Sequence, residues 1–245
     1  MAIRANQAAC RLARSHCQVA SIGQVHTVKQ KLEKWESWLE IIYQEIVHLA
    51  ASRQIYTETV KIILSNESLP KKNNFLDFLE EWYVHSIVMG LRRQLKTSGD
   101  SISLTGLLRD IVGASCLLSR ERFVSLVNKD GRGKDQPNSV FDKYAGEDAE
   151  FIDSQQVCED LGRFKDIAAK CEEYADRFVA HGDKRGISSV PTYKEPDEAF
   201  AFMNELLKKY FLLIRGDTLK TVTPVFQRNW KVIFKQPWIR GDQLA

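Results

Sequence analysis

Apolar residues recur at helical spacing along most of this chain. Over residues 32–49 they step by three and four positions, which places them on one face of an amphipathic helix. A shorter run over 55–64 predicts a second helix. Large apolar residues from Phe75 to about Lys96 predict a third helix with many side chains of core size.

Two serines predict the starts of further helices. Ser103 and Ser119 stand directly before apolar runs, where a hydroxyl can accept the hydrogen bond of an N-cap. These helices are expected to extend to about Val112 and about Val127. The stretch 128–139 is rich in Gly, Asp and Lys, and we expect it to be a surface loop.

The longest regular pattern begins at Asp153 or Ser154 and ends near His181. A helix of about 28 residues is roughly 42 Å long. Its buried stripe is predicted to consist of Val157, Leu161, Phe164, Ile167, Cys171, Tyr174 and Phe178.

A last major helix is predicted to have Pro196 in its first turn and to end at Gly216. The aromatic stretch 224–239 is expected to pack back on the other helices. Since no segment alternates like a strand, the predicted fold is all-α, an elaborated antiparallel helical bundle. We expect one domain over 25–245, preceded by a basic, poorly ordered tail over 1–24 in which no acidic residue occurs.

Charge and hydropathy exclude several classes of protein. The 35 basic and 32 acidic residues nearly balance, and a net charge of +3 is too small for a protein that coats nucleic acid or a membrane surface. Any basic site must therefore be local. No apolar run reaches the roughly 20 residues of a membrane span, so we expect a cytoplasmic protein without a membrane partner.

The five cysteines are scattered, with no CxxC pair. We therefore expect neither a disulfide framework nor a structural zinc site, and reduced thiols in a cytosolic setting.

The end of the long helix carries the strongest candidate chemistry, in the sequence ADRFVAHGDKRG at 175–186. Arg177 and His181 are four residues apart, so both side chains can address one phosphate. The guanidinium offers a planar fork of donors to phosphate oxygens, and the imidazole can exchange a proton near neutral pH. Together they could cleave RNA by transesterification, with no metal or cofactor.

An ordinary solvated helix end explains the same residues. Acid and base alternate four apart along this helix, and Glu173 with Arg177 is the last such pair. Cationic side chains also oppose the negative end of the helix dipole. Residue types and spacing alone leave both interpretations open.

Further basic residues surround the Arg and His. Arg163, Lys170 and Arg177 recur every seven residues, and Lys184 and Arg185 follow His181. On the third helix, His85, Arg92 and Arg93 could approach the same end of a bundle. Single-stranded RNA could follow these residues, or they could form a charged, solvated face.

The residues DRFVAHGDKRG resemble the Arg-to-His motif of the HEPN superfamily (higher eukaryotes and prokaryotes nucleotide-binding). MGLRRQLKTSGDSISLTGLLRDI at 89–111 and QPWI at 236–239 resemble its AbiU-like branch, which is associated with phage abortive infection. The likeness spans roughly residues 30 to 240.

The resemblance implies a helical bundle that forms a homodimer, with the motifs of two subunits facing a shared cleft. It implies a metal-independent endoribonuclease of abortive-infection or toxin type that cuts single-stranded RNA and has an antitoxin protein as a further partner. Carried over to this chain, His181 would be the general acid/base, Arg177 the phosphate clamp, and Asp176 the residue that orients the pair. The RNA contacts would be Arg163, Lys170, Lys184, Arg185, Arg92 and Arg93.

The motif departs from the family pattern in its spacing. Only three residues separate Arg177 from His181, and Ala175 stands where the family arginine is expected. Arg177 could take over the phosphate role, or Arg92 or Arg93 could supply it. A chain that has kept the fold and lost the activity would be a binding module for RNA or protein. A third hypothesis is a helical dimerisation protein that uses its aromatic tail.

Overall fold

The computed structural model describes residues 22–97, 100–129, 137–179 and 194–236. No strand occurs among them, only an isolated bridge between Ser119 and Phe151, and the predicted all-α bundle is confirmed. The main helices are α1 (Ile22–Ser65), α2 (Asn74–Leu95), α3 (Leu104–Val112), α4 (Arg120–Lys129), α5 (Pro137–Ala145), α6 (Ser154–Tyr174) and α7 (Lys194–Arg215). Short turns of other helical types lie at Ser115–Leu117, Ala175–Val179 and Trp230–Lys235.

Helix α1 is one continuous helix of 44 residues. The prediction of two separate helices over 32–49 and 55–64 was wrong. The residues between the two runs include no Pro or Gly, so the backbone continues although the apolar spacing is interrupted. The first run is buried as predicted, with Trp35, Leu39, Ile42 and Ile46 inaccessible to solvent.

Helix α2 agrees with the predicted third helix and is capped by Asn73, whose side chain accepts from the Leu76 amide at 3.0 Å. Its second half is buried in the bundle. Its first half is not, and Phe75, Phe78 and Trp82 are exposed although their size suggested core positions.

Both predicted serine caps are present. Ser103 accepts from the Gly106 amide at 3.0 Å, and Ser119 from the Arg122 amide at 3.3 Å. Helix α5, however, was not predicted, because 128–139 had been assigned entirely to a loop. Residues 130–136 lie outside the described part, but Pro137 begins a helix, a position at which its fixed φ and missing N–H are favourable.

Helix α6 is central to the bundle and packs against α2, α3 and α7. Asp153 caps it by accepting from the Gln155 amide at 2.9 Å. The predicted stripe is buried from Val157 to Tyr174, with Ile167 only partly covered and Ala168 fully buried beside it. Phe178 is the exception, because half of its side chain is exposed.

Helix α7 ends as predicted at Gly216, which has a φ of 74°. In the segment that follows, Lys231 forms an ion pair with Glu58 of α1. Trp230 contacts both Phe226 and Phe234 edge to face, and no side chain of the turn Trp230–Lys235 is buried. The proposed boundary at residue 25 and the single domain remain predictions.

Two cysteines correct the expectation of reduced thiols. Cys116 and Cys158 are both disulfide-bonded, whereas Cys171 is a free, buried thiol. The chain segments around the two bonded cysteines meet in the fold, where the Ile152 amide donates to the Leu118 carbonyl at 3.1 Å. Spacing along the sequence does not show this contact.

None of the helices in the described ranges is both long enough and apolar enough to cross a membrane.

Candidate active site at the end of helix α6

The regular geometry of α6 ends before the residues of the motif. Tyr174 is its last α-helical residue, and Ala175–Val179 form a π-helical turn. Such turns are rare, and they occur frequently at functional sites because they widen the helix and re-aim its side chains. The structure therefore marks this end of α6 as unusual, independently of the residue types there.

Ala175 lies inside the core. Its side chain is fully buried, whereas the neighbouring Asp176 and Arg177 are partly exposed. An arginine at position 175 would have to place a charged group in the bundle interior, which is strongly unfavourable without a partner. In this fold, position 175 cannot present a phosphate-binding side chain to solvent.

Asp176 is paired with an arginine of another helix. The Arg92 guanidinium of α2 donates from Nε to the Asp176 carboxylate. Arg92 is 18% exposed and Asp176 is 49% exposed, so the pair lies at the rim of the bundle. Two predicted site residues are thus brought together, but Asp176 binds Arg92 rather than Arg177, the residue it was predicted to orient.

Arg177 makes the contact that the solvated-helix interpretation predicts. Its Nη1 lies 2.9 Å from Glu173 Oε1, one turn earlier on the same helix. An ion pair that is this exposed contributes little to stability. His181, Lys184 and Arg185 lie outside the described residues, so their predicted roles remain predictions.

A second acidic group lies beside Asp176. Burial raises the pKa of the Glu172 carboxyl, and the negative charge of Asp176 raises it further, while Lys165 and Arg92 oppose this effect. Burial also lowers the pKa of the Lys165 ammonium, and the positive charge of Arg109 on α3 lowers this pKa further. Charges from three helices are therefore coupled at this end of α6.

Aromatic rings border the charged cluster. His85 of α2 lies 3.3 Å from the Tyr174 hydroxyl through its Nε2 atom. Its ring also contacts Phe178, with 6.0 Å between centroids, and Tyr174 stacks on Phe178 at 5.2 Å. The imidazole of α2 thus lies against the end of α6, as the sequence suggested for this helix.

The geometry can be compared with known proteins. The family model HEPN_AbiU2, described as AbiU2, matches residues 32–233, which is most of the chain. The chain belongs to the AbiU2 family of HEPN domains. No curated protein and no solved structure matches it.

The remaining RNA-contact residues predicted for this AbiU2-family protein are held by neighbouring groups. The Arg163 guanidinium lies over the Phe202 ring at 4.8 Å, and Lys170 forms an ion pair with Glu195 of α7. Arg93 of α2 pairs with Glu45 of α1. Arg163 and Lys170 thus contact residues of α7, whereas Arg92 contacts the π turn. Their predicted role in binding RNA remains a prediction.

Sequence reasoning missed three members of the candidate site. Glu172 and Lys165 belong to none of the acid–base pairs noted along this helix, and Tyr174 was predicted only as a core residue. No pattern in the sequence could separate them from similar residues on α6, because their coupling depends on Arg92 and Arg109 from other helices. Among the described residues, no group of His, Cys, Asp and Glu could hold a metal ion. The prediction that no metal is needed remains untested.

Proposed function

We propose that this AbiU2-family protein is a metal-independent endoribonuclease of abortive-infection type that cleaves single-stranded RNA. The observation that carries the proposal is the contact of Arg92 with Asp176 at the π turn, where Arg177 is the next residue and His181 follows four positions later in the sequence. Two guanidinium groups and one imidazole are suitable chemistry for transesterification at a phosphodiester.

In the proposed reaction the ribose 2′-oxygen attacks the adjacent phosphorus, and the bond from phosphorus to the 5′-oxygen breaks. His181 accepts the 2′-hydroxyl proton or donates a proton to the leaving 5′-oxygen, and water exchanges the other proton. The products are a 2′,3′-cyclic phosphate and a 5′-hydroxyl end. Negative charge builds up on the phosphoryl oxygens in the transition state, and arginine side chains stabilise it there.

Two arginines can supply that stabilisation. Arg177 was the predicted clamp, and it must turn away from Glu173 to reach a phosphate. Arg92 is already held at the π turn, because its Nε donates to the Asp176 carboxylate. The Arg92 side chain is 18% exposed, at the rim of the bundle beside the π turn. Asp176 therefore acts as a positioning residue for Arg92.

The proposal includes partners and place of action. Single-stranded RNA is the substrate, and the protein acts as a homodimer in the cytoplasm, where its RNA targets are. An antitoxin protein that blocks the cleft is a further proposed partner. These elements are supported by membership of the HEPN AbiU2 family and by the exposed apolar side chains described below.

The test is cleavage of labelled single-stranded RNA by the parent protein and by His181→Ala, with excess chelator and analysis of the product ends. We expect cyclic phosphate ends from the parent, and loss of cleavage in the variant with helical content and RNA binding unchanged. His48→Ala, which removes an exposed imidazole from α1, is the matched control and should cleave normally. Full activity of His181→Ala would contradict the assignment.

A second candidate function is a catalytically inactive HEPN-like module that binds RNA or protein. The pairing of Arg177 with Glu173 favours it, because that arginine already has an intrahelical partner. RNA binding by the parent without cleavage of any tested RNA would support this module and contradict the ribonuclease.

A further inference from the structure

A cluster of exposed aromatic side chains lies on α2. Trp82 is 64% exposed, and Phe75 and Phe78 are exposed by half or more. We call these three residues, together with Met89 and Ser86, the aromatic face. Phe178 of the π turn, 51% exposed, lies near its edge through its contact with His85. The face therefore adjoins the candidate site.

Helical geometry places these residues together. With about 100° per residue, Phe75, Phe78, Trp82, Ser86 and Met89 fall within one side of α2. The buried residues of α2 fall on the opposite side, from Tyr83 to Leu95. The exposed rings of the aromatic face thus form a second apolar stripe on α2, opposite its buried side.

A groove between α1 and α2 deepens this surface. Its volume is about 600 Å³. It is lined mainly by apolar and aromatic side chains, among them Ile55, Tyr56, Leu79, Trp82, Tyr83 and Met89. Contiguous exposed apolar surface of this kind marks interaction sites, and aromatic residues and Met are enriched in protein interfaces.

The charged residues of α2 are divided by position along the helix. Acidic residues stand in its first half, at Asp77, Glu80 and Glu81, and the basic pair Arg92 and Arg93 stands in its last turn. Glu81 and Arg92 are eleven residues apart, about three turns, and so lie on the same flank of the helix. An antiparallel copy of this helix would bring its basic end against the acidic half.

We propose that the aromatic face is where a second copy of this chain docks, with the two α2 helices antiparallel and the two-fold axis beside Ser86. In a symmetric interface each patch meets itself, so Trp82 packs near the axis on both copies. Glu81 of each copy faces Arg92 of the other, because Ser86 lies midway between these positions. The inference rests on the homodimer in the proposed function and names its surface.

This arrangement gives the dimer a consequence for the site. Arg92 binds Asp176 within its own copy, and docking through α2 brings the two Arg92–Asp176 pairs to one interface. The second copy's Glu81 then lies beside the Arg92 guanidinium. Each candidate site thus borders a residue of the other copy.

Single-stranded RNA fits the aromatic face less well than a second copy of the chain does. Glu81 lies on the flank of α2 beside the exposed rings, and Glu172, Glu173 and Asp176 lie at the adjoining turn. These carboxylates repel phosphates, whereas they can pair with the basic end of a second α2.

The first test is the mass of the parent and of Trp82→Glu in solution, measured by sedimentation over a range of concentrations. We expect a dimeric parent and at least a tenfold weaker dimer for the variant. The matched control is Val225→Glu, which places the same charge at an exposed apolar position outside α2 and should stay dimeric. A monomeric parent, or a fully dimeric Trp82→Glu, would overturn the inference.

The second test uses charge reversal to establish the antiparallel orientation. Glu81→Arg alone and Arg92→Glu alone each place like charges opposite each other and should weaken the dimer. Mixing the two variants should restore it, because the introduced arginine of one chain then faces the introduced glutamate of the other. The second contact of the mixed dimer keeps its natural Glu81 and Arg92. No recovery in the mixture would exclude the antiparallel pairing.

These readouts are independent of cleavage. A dimer that responds as expected but cuts no RNA would leave the docking surface standing and contradict only the ribonuclease. If Trp82→Glu remained dimeric but lost binding to single-stranded RNA, the aromatic face would be an RNA surface and the inference would fail.

Discussion

The Arg92 guanidinium binds the Asp176 carboxylate, joining α2 to the π turn across 84 positions of the chain. This contact links two residues that the sequence had placed in one site for different reasons, one as an RNA contact and the other as an orienting acid. It also gives the π turn an anchor outside its own helix, on a side chain that is mostly buried.

If Asp176 positions Arg92, removing the charge of Asp176 should lower RNA cleavage and leave the stability of the fold nearly unchanged. Asp176→Asn should lower RNA cleavage by about tenfold or more, because Arg92 loses the partner that positions it. The free energy of unfolding should change by less than about 1 kcal/mol, since the carboxylate is half exposed. Asp166→Asn, at an exposed acid of α6, is the control and should alter neither quantity. Equal cleavage rates for the two variants would count against the positioning role.

The contact between Arg177 and Glu173 predicts opposite effects from its two members. Glu173→Gln removes the charge that competes with phosphate, so binding of single-stranded RNA should tighten severalfold. Arg177→Ala should weaken binding and cleavage together. Titration of a labelled RNA at a fixed salt concentration, followed by a cleavage assay, measures both. If neither substitution changed RNA binding or cleavage, Arg177 would be only the last pair of a solvated helix.

The environment of Glu172 predicts a pH dependence of stability. Burial and the Asp176 charge raise its pKa in the folded protein above the ordinary 4.5, so the ionised carboxylate destabilises the fold at neutral pH. Glu172→Gln should therefore be more stable than the parent near neutral pH. Its advantage should shrink as the pH falls through the raised pKa towards 4.5, because the parent becomes protonated. Urea unfolding at several pH values measures this, and an advantage that grew on acidification would contradict it.

Replacing glycine by alanine should have opposite effects on stability at positions 216 and 162. Gly216 has a φ of 74°, and an added Cβ would lie 2.8 Å from the Cβ of Leu126. Gly216→Ala should therefore lower the free energy of unfolding by about 1–2 kcal/mol. In Gly162→Ala, within α6, the added Cβ has no atom within 4 Å. This substitution should therefore raise the free energy of unfolding by about 0.5–1 kcal/mol. Thermal unfolding of both variants measures these changes. A Gly216→Ala variant more stable than the parent would contradict the expected strain at position 216.

Local chemistry explains what could be predicted of the fold. Ser103, Ser119 and Gly216 act on groups within a few residues, so their capping roles could be deduced without knowledge of the rest of the chain. The continuity of α1 and the start of α5 at Pro137 were missed, because interruptions in apolar spacing and loop-like composition were given more weight than the backbone preferences of the residues.

The candidate site could be predicted only in part. The sequence indicated the end of α6 and named Arg92, Asp176 and Arg177, since residue type and helical spacing show which side chains can bind phosphate. It assigned Asp176 to orient or tune Arg177 and His181, whereas the structure shows its carboxylate bound to Arg92. This contact depends on where α2 crosses the end of α6, which is fixed by the packing of buried side chains far apart in the chain.

By itself, the sequence determined the helical class, most helix boundaries and the family resemblance, because periodicity, capping and motifs are properties of neighbouring residues. Only the tertiary structure decided that Ala175 is buried, that Phe178 and the aromatic face are exposed, and that Cys116 and Cys158 are bonded. Apolar residues on two sides of one helix are equivalent in sequence. Which side is covered depends on the partner helix that packs there, and therefore on the whole fold.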